Sequence, residues 1–164
     1  MKRLLSALLV LTLALSLTAC SGKPAATANI PGELPALMNQ LMENVDLDAE
    51  TKEWLKNGMM QTELTPENTE YYLGKGDYSY KSGLAAEPKM SSQAFSVVLV
   101  RAEDAAAAQK LSEGVKTTVD PRKWICVGID DPANVKTASH GDLMILVMAE
   151  NAQKYMDAFA GLAK

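Results

Sequence analysis

Histidine occurs once and cysteine twice in 164 residues, and aromatic side chains make up only 5% of the chain. A single histidine leaves no material for a His-rich metal centre, and two cysteines do not build a disulfide scaffold. With so few aromatic rings, Leu, Val, Ala and Met must fill the core. Sixteen Lys and Arg stand against twenty Asp and Glu, a formal charge of −4. Phosphate binding needs a Lys/Arg surface, so no nucleic-acid partner is expected. The same balance gives no polybasic attraction to anionic lipid.

The motifs of familiar chemistry are also missing. There is no Gly-x-Ser-x-Gly elbow, no His-Glu-x-x-His, no Cys-x-x-Cys and no phosphate-cradling glycine loop. His140 has Ser139 and Asp142 beside it, but a Ser-His-Asp relay needs groups converging from separate elements. The expectation for His140 is a solvated turn residue. Asp46, Asp48 and Glu50 alternate like the start of a calcium loop. The sixth and twelfth loop positions, however, hold Thr51 and Asn57 instead of Gly and Glu. Helix capping accounts for these acids better. No metal site, cofactor or catalytic set is expected.

What the chain does have is an address. Met1-Lys2-Arg3 is followed by an apolar run, residues 4–17, too short to span a bilayer comfortably. It ends in Leu17-Thr18-Ala19-Cys20, which resembles the bacterial lipobox. In signals of that kind the Cys thiol takes a diacylglycerol and the chain is cut before it. Residues 1–19 therefore read as a lipoprotein signal, and Cys20 as the lipidation site. Two acyl chains on one cysteine meet the requirement for stable anchoring. Removal of a segment carrying Lys2, Arg3 and no acid takes the formal charge from −4 to −6. Residues 20–32, rich in Ser, Gly, Pro, Ala and Thr, read as the lipidated Cys and a flexible tether. Residues 33–164 read as one globular domain.

Within that domain Leu34, Leu37, Met38, Leu41, Met42 and Val45 recur at helical spacing. Asp48 is a candidate N-cap for a second helix ending near Gly58, and Thr65-Pro66 for a third ending at Gly74. Beyond Gly76 the period changes. Strands are expected over residues 78–86, 93–101, 123–129, 134–138 and 142–148, with a tight turn at Ser139-His140-Gly141-Asp142 and helices over 103–119 and 151–162. Residues 98–105 align with residues 145–152, each a buried strand running straight into a helix. The fold class expected is α+β: N-terminal helices, then a mainly antiparallel sheet with helices on one face, the alignment suggesting two β-β-α units. Cys126, in the apolar run Trp124-Ile125-Cys126-Val127, is expected to be a buried small hydrophobe. Arg122 and Lys123 nearby leave a reactive thiol as the other reading.

Several of these features together resemble a known family. The Cys20 lipobox, a helical N-terminal third, Ala94-Phe95-Ser96-Val97-Val98-Leu99-Val100-Arg101 leading into an Ala-rich helix, and Gly141-Asp142-Leu143-Met144-Ile145-Leu146-Val147 before a helix with Ala158-Phe159 look like the bacterial lipoprotein family catalogued as domain of unknown function 4358. The resemblance implies an anchored extracytoplasmic domain, chiefly of Gram-positive bacteria. It implies no activity and carries over no catalytic residues.

The function expected is that of a lipid-anchored lipoprotein on the extracytoplasmic face of the cell membrane. It would act without catalysis, on a protein, peptide or cell-envelope partner. Two rivals stand beside it: a small-ligand carrier feeding a transporter, with a deep apolar pocket, and an envelope hydrolase using acids such as Glu63, Glu67 and Glu70. Eight methionines follow the signal: Met38, Met42, Met59, Met60, Met90, Met144, Met148 and Met156. Their spacings suit core packing first, and an adaptable binding groove or a soft-metal site second.

Overall fold

A computed structural model describes residues 28–90 and 92–164. The chain opens with helices α1 (Leu34–Asn44) and α2 (Ala49–Gly58), strand β1 (Met59–Glu63) and the short helix α3 (Thr69–Leu73). Strands β2 (Ser82–Pro88) and β3 (Ser96–Arg101) follow, then helix α4 (Ala105–Thr118). Strands β4 (Val135–His140) and β5 (Leu143–Met148) and helix α5 (Ala152–Gly161) complete it. The strands form one sheet in the order β1-β2-β3-β5-β4, antiparallel at every neighbour pair. The α+β class and the antiparallel sheet are as the sequence leads one to expect.

Local chemistry sets the helix ends. Pro35 sits in the first turn of α1, where a missing N–H is harmless. The Asp48 carboxylate caps α2, accepting from the Thr51 N–H at 2.9 Å and the Thr51 hydroxyl at 2.7 Å. Asp104 caps α4 through the Ala107 N–H at 2.8 Å. Gly74 ends α3 in the left-handed region, φ 79°, and a Cβ there would lie 2.0 Å from the Thr118 carbonyl oxygen. Only glycine satisfies both the dihedral and the close approach. The third helix begins at Thr69, not at Thr65. Asn68 accepts from the Thr65 N–H at 2.7 Å and donates to the Glu63 carbonyl at 3.0 Å, holding residues 65–68 in a turn.

The sheet is buried on both faces. Leu84, Ala86, Val97, Leu99, Ile145 and Val147 share one core with α1, α2 and α5. Ala85, Val98, Val100, Met144, Leu146 and Met148 share the other with α3 and α4. This corrects the expectation of helices on one face. The two β-β-α units are present as β2-β3-α4 and β4-β5-α5, but their helices leave on opposite sides. The alignment of residue 98 with residue 145 spans an odd number of positions, whereas the register pairs Val98 with Leu146. Val98 and Ile145 therefore point to opposite faces. Identical strand-to-helix junctions then throw α4 to one side and α5 to the other.

Two further expectations are corrected. Residues 123–129 form no strand. Arg122 pairs with Asp130, and the Ile129 N–H donates to the Pro121 carbonyl at 2.8 Å, closing residues 121–130 into a loop. Residues 28–32, read as the end of a tether, are held against the sheet. Ile30 is buried, and Arg101 donates to the carbonyls of Ile30 and Gly32. The same guanidinium pairs with Asp142 at 2.6 Å, and the Asp142 N–H donates to Asn29 Oδ1 at 3.0 Å.

Candidate functional site

The sequence-derived candidates scatter. Cys20 and residues 1–19 lie outside the described residues. Cys126 is exposed, not buried, and takes φ 61° at the tip of the 121–130 loop beside exposed Ile125. His140 is the last residue of β4, half-buried, paired across the hairpin with Leu143. Asp142 turns instead to Arg101, so no relay forms. Asp48 caps α2, while Asp46 and Glu50 stay on the surface. Glu63, Glu67 and Glu70 are all exposed, and none lines either main cleft. The Thr65 hydroxyl holds the Glu67 carboxyl below its ordinary range, the wrong direction for a general acid. Met38, Met144 and Met148 are core residues, Met42 and Met156 half-buried against it.

Lys123 decides how the 121–130 loop sits. Its ammonium reaches under α3, 2.7 Å from Glu87 Oε1 on β2, with the lysine side chain 4% exposed and the carboxylate 12%. Nζ lies 4.4 Å from the Tyr71 ring centroid, 4.8 Å from Tyr72 and 5.5 Å from Trp124. The Tyr71 hydroxyl donates to the other Glu87 oxygen at 3.3 Å. Burial pulls the Lys123 ammonium below its ordinary range, and the Glu87 charge opposes that shift. Rings and carboxylate together replace the water the cation has lost.

The pinned loop forms one wall of a cleft of about 650 Å³. Val127, Gly128, Ile129, Asp130 and Asp131 come from the loop. Leu47, Asp48, Thr51 and Trp54 come from the start of α2, Gln93 to Phe95 from the approach to β3, and Glu150, Asn151, Lys154 and Tyr155 from the exit of β5 and the start of α5. The floor is aromatic. Trp54 meets Phe95 edge-on at 5.5 Å, and Phe95 meets Tyr155 at 5.6 Å. Both described non-glycine residues with positive φ, Cys126 and Asn151, lie at this cleft or one residue from it. Asparagine tolerates such backbone, whereas for Cys126 it is costly.

The rim is acidic. Asp48, Asp130, Asp131 and Glu150 face a single Lys154. Thr51 hydrogen bonds hold the Asp48 carboxyl below its ordinary range. Asp131 accepts from the Ala133 N–H and Asp130 is paired with Arg122, which leaves Glu150 as the unpaired acid. Tyr155 is 3% exposed, yet its hydroxyl has no hydrogen-bond partner among the described residues. Burial alone pushes that hydroxyl up to about 12, so it is a neutral donor at ordinary pH. A second cleft, about 620 Å³ between α1, α2 and β1, is lined by Met42, Leu55 and Met59 with Glu43 and Glu53 balanced by Lys52 and Lys56. Its lining charges cancel, and no aromatic residue lines it.

Sequence reasoning missed this cleft because its walls come from four separate segments. The signals were nevertheless present: a lysine at the head of the apolar run Trp124-Ile125-Cys126-Val127, and three of the few aromatic residues at Trp54, Phe95 and Tyr155. Comparison with known protein families, with curated proteins and with solved structures returns no match. Among the described residues, no helix is long and apolar enough to cross a membrane.

Proposed function

We propose that this chain is a lipid-anchored binding module on the extracytoplasmic face of a bacterial membrane, attached through Cys20 and presenting the aromatic-floored cleft away from the bilayer. One observation carries the reading: the chain's entry point and the cleft lie at opposite ends of the same two central strands. Residues 29–32 are clamped where β3 ends, at Arg101, and β5 begins, at Asp142. Phe95, before β3 begins, and Glu150, after β5 ends, line the cleft. Six-residue strands separate the two by roughly 20 Å. A tether entering at the clamp leaves the cleft free for a protein, peptide or envelope component.

The resemblance to anchored lipoproteins points the same way. The hydrolase alternative has lost its acids to the surface, and nothing in the open cleft favours the enclosed apolar pocket of a carrier.

Cys126 makes the test direct. It is exposed near the cleft, and an acylated Cys20 has no free thiol to compete. Protoplasts displaying the full chain are treated with a membrane-impermeant maleimide. Labelling of Cys126 without lysis, on protein that pellets with membranes, is the expected result. Cys20→Ala should release the labelled protein to the medium. Labelling only after lysis, or membrane retention of the Ala variant, would overturn the reading.

A further inference from the structure

Resting on the reading of this cleft as the binding site, we infer that its ligand is an organic cation: an ammonium group joined to an apolar body. Two independent features point to a cation, and a third points to an acceptor beside it. The first is charge. Four carboxylates line the cleft against Lys154; Arg122 offsets only Asp130, and Glu150 has no ion-pair partner among the described residues. An anionic ligand would meet this field unfavourably, whereas a cation is drawn in. The second is the half-buried Trp54 ring, the best side-chain platform for a cation, seated on Phe95 at the cleft floor. The third is Tyr155. A hydroxyl on a side chain that is 97% buried ordinarily finds a protein acceptor, and this one has none. Among the described residues, the sealed side-chain atoms without a hydrogen bond are Trp124 Nε1 and Glu87 Oε1, the latter held by the Lys123 charge at 2.7 Å. The Tyr155 oxygen is not among these sealed atoms, so it still reaches the cleft. An acceptor on the ligand, such as a carbonyl next to the amine, would complete it.

The molecule already holds a cation in this manner once. Lys123 lies among Tyr71, Tyr72 and Trp124 with a carboxylate at 2.7 Å. The cleft repeats the ingredients, aromatic rings and carboxylates, and among the described residues no cation, Lys154 included, stacks on Trp54, Phe95 or Tyr155.

The test uses the full chain in a nonionic detergent, with ¹⁵N-labelled indoles read by NMR. Three phenyl probes of similar size are titrated: phenethylammonium, 2-phenylethanol and 3-phenylpropionate. The expected result is a saturable shift of the Trp54 indole N–H with phenethylammonium, weaker with the alcohol and absent with the propionate, while Trp124 stays still. Glu150→Gln should weaken the ammonium roughly two- to fivefold. A glycine amide is the fourth probe, supplying a carbonyl beside its amine, and its binding should fall roughly two- to tenfold in Tyr155→Phe. Equal binding of all three phenyl probes, or tighter binding of the propionate, would overturn the cation assignment and leave the cleft as a site. No shift of Trp54 with any probe, or equal shifts of Trp54 and Trp124, would overturn the cleft reading itself.

Discussion

Val98 and Leu146 stand directly opposite one another on the two central strands, β3 and β5, and neither exposes any surface. Both point into the core shared with α4. Cutting a buried aliphatic side chain to Ala costs about 2–5 kcal/mol, and Val loses less volume than Leu. Val98→Ala should therefore fall near the low end and Leu146→Ala higher. Because the two side chains adjoin, the double variant should depart from the sum by at least about 0.5 kcal/mol. Urea denaturation of all four proteins checks this. Strict additivity would mean that the pair does not share one packing environment.

The Lys123–Glu87 pair predicts an asymmetry between single and double changes. Lys123→Met leaves a carboxylate buried without its cation, a loss of about 3–5 kcal/mol in comparable pairs. Lys123→Met with Glu87→Met should be distinctly more stable than either single variant. Freed from its pin, the 121–130 loop should also expose Cys126 more fully, so its thiol should react faster in the single Lys123 variant. Midpoints from denaturation and rates from thiol titration read the two effects separately. A double variant as weak as the singles would show that the pair contributes through shape, not charge.

These two regions also show where the sequence is legible. β3 and β5 read plainly because strands buried on both faces become unbroken apolar runs, Val97 to Val100 and Leu143 to Met148. The α1 stripe and the Asp48 cap are local patterns and are equally plain. β1 is not: Met-Met-Gln-Thr-Glu at a sheet edge is half-exposed and has no clean alternation. Residues 123–129 mislead for the opposite reason, since Trp124 and Ile129 are buried by a loop that Arg122 and Asp130 close. An apolar run reports burial, and burial does not require a strand. The cleft depends on which face α5 chooses, and that follows from a register that a single sequence does not display.

Arg101 and Asp142 give a third prediction. Their side chains are 18% and 9% exposed and 2.6 Å apart, and the same guanidinium holds two carbonyls of the entering segment. Arg101→Met should cost roughly 3 kcal/mol, because it orphans the Asp142 carboxylate and the two carbonyls of Ile30 and Gly32 at once. It should also release residues 28–32 before the sheet unfolds. Limited proteolysis with elastase checks this: new cutting around Ala28 and Ile30 in the variant, at urea concentrations where the core persists, is the expected pattern. Unchanged cutting would mean that Ile30, buried in the core, holds the segment without help.

The final prediction separates stability from binding at Tyr155. Its hydroxyl is raised by burial to about 12, against an ordinary value of 10.0. Below pH 10 both folded and unfolded chains keep the proton, so the full contribution is present. Between pH 10 and 12 the unfolded chain gives it up while the folded chain holds it. The unfolded state then binds fewer protons, and stability falls as pH rises through the folded value. The slope is at most about 1.4 kcal/mol per pH unit, on the order of 2 kcal/mol across the window. Tyr71, also raised to about 12 by burial and by Glu87, acts in the same sense. Lys123, lowered by burial, acts in the opposite one, because below 10.5 its unfolded form binds more protons. Comparison with Tyr155→Phe cancels both. At pH 7 that variant should match or exceed the parent in stability, since the hydroxyl it removes has no protein partner. As pH rises from 9 to 11.5 the stability difference should widen in favour of Phe. Urea midpoints at half-unit intervals measure it. If Tyr155→Phe instead loses stability at pH 7 and the difference is flat with pH, the hydroxyl is satisfied within the fold and is not waiting at the cleft for a ligand.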